Sequence, residues 1–96
     1  MISLKAYIRE IESMIDQGQC QEAITHCKHI LLKYPKYIDV YRNLGKSLLE
    51  LKKHSDAADI FLRVLNVFPD DFISHAGLSI IAEEQKNIDL AIWHME

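Results

Sequence analysis

The sequence predicts an all-α protein, a solenoid of stacked helix-turn-helix units, and three observations carry that prediction. Apolar residues recur at spacings of three and four, the period of a helix with one buried face: Val40, Tyr41, Leu44, Leu48 and Leu51 in "VYRNLGKSLLEL", then Ala57, Ile60, Phe61, Val64, Leu65 and Phe68 in "DAADIFLRVLNVF". Pro35 and Pro69 stand 34 residues apart, and other positions move with them: Ala23, Ala57 and Ala91; Cys27, Phe61 and Met95; Tyr7, Tyr41 and His75; Met14, Leu48 and Ala82. With 3 glycines and 2 prolines in 96 residues, the breaks between helices are few and each is informative.

The elements follow in order. A first helix over 3–17 ends at "DQGQ", where Gly18 can take the left-handed conformation that closes a helix. A second over 20–33 stops ahead of Pro35, because proline cannot continue a helix and biases its predecessor toward extended backbone. The third, 38–51, is broken from the fourth, 55–67, by "KKHSD", with His54 or Ser55 near the cap. Gly45 and Ala57 are small enough to let these two cross closely. After Pro69, Asp70 and Asp71 complement the positive end of a fifth helix over 72–85, and "QKNID" is expected to break it from a sixth over 88–96, with Asn87 as N-cap.

Composition narrows the function. A chain of 96 residues, 49% apolar and 26% charged, makes one domain with a modest core. Its net charge of -3, with the two signs interspersed, gives no attraction for nucleic acid. Charged Lys5, Arg9 and Glu10 interrupt the start too early for a signal peptide, and no apolar run approaches the roughly 18 residues of a membrane span, so a cytoplasmic location is expected. The only cysteines, Cys20 and Cys27, lie about 10.5 Å apart along a shared helix, too far for a disulfide, and are expected as free thiols. No nucleophile, phosphate-loop or metalloprotease motif occurs, so no enzyme activity and no cofactor are expected.

A 34-residue helix-turn-helix unit with an aromatic, a Leu-Gly pair, an alanine, a second aromatic and a closing proline resembles the tetratricopeptide repeat. Unit 38–71 carries the signature as Tyr41, Leu44, Gly45, Leu48, Ala57, Phe61 and Pro69. Unit 4–37 departs from it, with Glu10 and Ile11 for the Leu-Gly pair and Cys27 for the aromatic; unit 72–96 has His75 and Ser79 at signature positions and a truncated second helix. The resemblance implies a right-handed superhelix of about three repeats, the N-terminal part of a longer protein. Its first helices would line a concave groove that binds a peptide or helical segment of a partner. The alternative is a structural or self-association segment of a larger protein without a peptide ligand.

Mapped onto this chain, the carboxylate-clamp positions of chaperone-binding members fall on Ile8, Glu12, Asn43, Ile73 and Gly77, of which only Asn43 matches, so binding of a chaperone tail is not expected. The groove is expected to use Ile8, Glu12, Arg42, Asn43, Lys46, Ile73, Ala76, Gly77 and Ile80, with Arg42 and Lys46 as cations suited to a segment carrying apolar anchors and an acid. Leu90, Trp93 and Met95 form a candidate self-association face at the open C-terminal end, through which a homodimer would form. In "HCKH", Cys27 shares the phase of Phe61 and belongs to the core, while His26 and His29 are expected to face outward without enough ligands for a metal.

Overall fold

The computed structural model describes the backbone of residues 3–95 and the side chains of residues 3–86. Five helices follow one another: α1 (Leu4–Asp16), α2 (Cys20–Lys33), α3 (Ile38–Glu50), α4 (His54–Val67) and α5 (Phe72–Met95). Each packs on the next, α1 and α5 also touch α3, and among the described residues α2 and α4 do not meet. The odd-numbered helices therefore sit closer together than the even-numbered ones. That difference bends the α-solenoid so that α1, α3 and α5 line its concave side.

Two turns of the same construction close α1 and α3. At the end of α1, Gly18 has φ 81° and its N–H donates to the Ile15 carbonyl, while Gln19 N–H reaches back to Met14 at 2.8 Å. Thirty-four residues later Lys52 has φ 62°, bonds to Leu49, and is followed by Lys53 N–H on Leu48 at 2.9 Å. Both are Schellman closures, in which one left-handed residue turns the last carbonyls of the helix back onto donors. Glycine adopts that conformation freely, whereas a residue with a Cβ is strained by roughly 1–2 kcal/mol. In unit two the turn is held shut by buried Ala57, Phe61 and Val64 on α4 and by Glu84, which binds both Lys52 and His54.

The expected break at "QKNID" does not occur. α5 runs without interruption from Phe72 to Met95, and Asn87 lies inside it instead of capping a sixth helix. The left-handed position of the repeat falls there on Lys86, in a stretch rich in Glu, Gln and Lys that holds no glycine or proline. Staying helical avoids the left-handed strain and adds a backbone hydrogen bond per residue, so the favourable local propensities prevail. The N-cap of α4 is likewise Lys53, without a side-chain bond, in place of the expected Ser55 or His54.

The core runs between the two layers: Ile8 and Ile11 from α1, Ala23, Ile24, Cys27 and Ile30 from α2, Val40, Leu44 and Leu48 from α3, Ala57 and Phe61 from α4. Phe61 is its keystone. A Cβ on Gly45 would stand 2.6 Å from one edge of the Phe61 ring, and one on Gly77 would collide with the opposite edge. Gly45 thus makes room for Phe61 rather than for Ala57, and the ring is wedged between α3 and α5.

Candidate functional site

The concave side holds an open cleft of about 510 Å³ between the C-terminal halves of α1 and α3 and the first turns of α5. Phe61 contributes its floor, Ile15 and Leu49 one wall, Phe72, Ile73, Ala76 and Ile80 the other. Exposure here is unusual for large apolar side chains: Phe72 is 82% accessible, Ile80 47% and Ile73 38%. The geometry follows from the helical period, since Ile73, Ala76 and Ile80 recur at three and four along the side of α5 that lines the cleft.

A smaller recess of about 190 Å³ continues the cleft and joins Ile8, Glu12, Asp39, Arg42, Asn43, Lys46 and Ile73. The structure thus places the nine expected groove residues along one concave surface, but with unequal access. Ile8, Asn43 and Gly77 are buried, Ala76 is half-buried, and Glu12, Lys46, Ile73 and Ile80 are exposed. Asn43 spends its amide donor on the Asp39 carbonyl at 3.0 Å. Gly77 serves the packing of Phe61.

Arg42 is the largest departure from expectation. Its Nε and Nη2 donate to Asp71 Oδ1 at 2.9 and 2.5 Å, and its Nη1 donates to Asp39 at 2.7 Å. The Asp71 side chain is only 5% exposed and its second oxygen accepts from the Ser74 N–H and hydroxyl, so it caps α5 and anchors it to α3 at once. Burial pushes the Asp71 carboxyl up, but hydrogen bonds from Arg42 and Ser74 outweigh it and hold the group below the usual carboxylate range. Arg42 is therefore a structural cation, neutralised by two carboxylates.

Sequence reasoning overlooked this pair, although the repeat carried a signal. At the same two phases unit one has Ile8, in the core, and Tyr37, half-buried against it, where unit two has Arg42 and Asp71. Where unit one has an aliphatic and an aromatic residue, unit two has a cation and an anion.

The aromatic phase has a structural task too. Tyr41 donates to the Pro35 carbonyl and His75 to the Pro69 carbonyl, each at 2.7 Å, tying α3 and α5 to the turns before them. Tyr7 instead bonds His26 Nδ1 at 2.6 Å, so His26 is half-buried against α1 and does not face outward as expected. Exposed His29 is left without it, and no cluster of three metal-binding side chains exists among the described residues. Cys27 is fully buried, and burial pushes its thiol up to about 12; Cys20 is raised by burial and by nearby Glu50. Both are free thiols. The side chains of Leu90, Trp93 and Met95 lie outside the described residues.

A family model described as tetratricopeptide repeat matches residues 14–81, more than half of the chain. The chain belongs to the tetratricopeptide repeat family. No curated protein matches it. Tetratricopeptide repeats generally mediate protein–protein interactions and are typically non-catalytic. Among the described residues no helix of this repeat protein is long and apolar enough to cross a membrane.

Proposed function

We propose that this tetratricopeptide repeat protein is a non-catalytic interaction module that holds a peptide or helical segment of a partner in its concave cleft. The reading rests on one observation above all: Phe72, Ile73 and Ile80 stand exposed around a cleft of about 510 Å³, where leaving them in water has a free-energy cost that a partner's apolar side chains would remove. Fully covering one such side chain contributes about 1.5–3 kcal/mol, so apolar anchors supply part of the binding free energy and polar contacts along the segment must supply the rest.

The test uses two exposed apolar positions, one in the cleft and one outside it. Peptides selected from a random library on the intact protein should lose binding to Ile80→Asp and keep it for Leu32→Asp, because Leu32 is 85% exposed but lies on α2, away from the cleft. Unchanged helicity by circular dichroism should accompany both. Retained binding by Ile80→Asp would sink the cleft reading.

A further inference from the structure

Resting on the cleft reading above, we infer that the segment held there is apolar and basic, with a lysine or arginine seated between Asp16 and Glu50. The sign is the reverse of what the sequence alone suggests, and the reversal comes from which charges remain free. Arg42 is consumed by Asp71 and Asp39, which leaves Lys46 as the cation of the cleft wall. Against it stand Asp16 and Glu50 in the cleft and Glu12 in the adjoining recess, all exposed and none in an ion pair among the described residues.

Repeat geometry explains why Glu50 makes no ion pair among the described residues. Its counterpart one unit later, Glu84, is bound by Lys52 and His54. The residues at the phases of Lys52 and His54 in unit one are Gly18 and Cys20, neither of which carries a positive charge. The carboxylate is present at this phase without the two side chains that bind its counterpart.

Helix polarity adds to the same sign. Asp16 and Glu50 are the last residues of α1 and α3, whose final turns contain no basic side chain, so both carboxylates sit at the negative ends of helix dipoles. A cation entering the cleft there meets two carboxylates at the negative ends of two helices. Its neighbours on the incoming segment would rest on Ile15, Leu49, Ile73 and Ile80. Apolar anchors followed by a basic residue are the complement of this surface, and an acidic segment would meet repulsion at the same end.

The probe is a pair of fluorescein-labelled amphipathic peptides with identical leucine positions, one with lysines on its remaining face and one with glutamates, followed by anisotropy at about 0.05 M salt. The lysine peptide should bind the intact protein about tenfold or more tightly than the glutamate peptide. Combined Asp16→Lys and Glu50→Lys should erase or invert that preference; lysines at these helix ends suit the dipole, so the fold should persist. Combined Glu10→Lys and Asp59→Lys, which changes net charge equally but away from the cleft, should preserve it. If the glutamate peptide binds equally well or better and Ile80→Asp still abolishes binding, the basic preference is wrong and the cleft reading stands. A lysine preference that survives Asp16→Lys with Glu50→Lys, or that Glu10→Lys with Asp59→Lys also erases, overturns the placement. If neither peptide binds, or Ile80→Asp leaves binding intact, both readings fall.

Discussion

Phe61 shows how one side chain dictates its neighbours. Its ring is held on both edges, by Gly45 of α3 and Gly77 of α5, so it cannot swing away from an added methyl on either side. Gly77→Ala should therefore destabilise the protein by about 1–3 kcal/mol in urea melts, the usual cost of overpacking. Phe61→Leu, itself destabilising, should make a subsequent Gly77→Ala nearly neutral, because the clash partner is gone; strictly additive losses would contradict the wedge. Asp71 makes the second residue-scale case. Its carboxyl, and that of Glu84 held by Lys52 and His54, titrate below their usual ranges. The stability they supply is thus complete above their unfolded values of about 4 and is lost as pH falls through the lower folded ones. Melts below about pH 4 should show that loss, and Asp71→Asn should lower stability at pH 7 by about 1–3 kcal/mol while flattening the acid limb.

At the scale of elements, the closures of α1 and α3 are the same turn built with different residues. Gly18 accepts φ 81° without strain and Lys52 holds φ 62° under tension. Lys52→Gly should accordingly melt about 5 °C above Lys52→Ala, since both lose the contact with Glu84 and only alanine keeps the strain. Four of the helices were legible in the sequence to within a residue or so, because proline, glycine and the three-and-four spacing agree there. The fifth was misjudged at its far end. The repeat phase asked for a turn at Lys86, but phase states only where a turn would fit, and no residue in "QKNID" forces the backbone out of the helix. For the site, the strip Ile73, Ala76 and Ile80 followed from periodicity. The charge state did not, because whether Arg42 is free depends on Asp71, 29 residues away and brought beside it only by the stacking of α5 on α3.

The whole molecule is a curved stack in which the proposed binding surface belongs to the inner layer and stability to the seam between layers. Residues of the seam, such as Phe61, Cys27 and Val40, are buried and their substitution is felt as lost stability. Those on the concave surface, Ile80, Lys46, Asp16 and Glu50, are exposed and should be replaceable with little cost to the fold. That division separates binding defects from folding defects. It is tested most directly by titrating the lysine-bearing peptide into isotope-labelled protein and following every backbone amide by NMR. Shifts confined to residues 12–16, 46–50, 72–80 and the Phe61 floor, with α2 and the rest of α4 silent, are the expected result. Shifts centred on the outer helices, or none at all, would contradict the account.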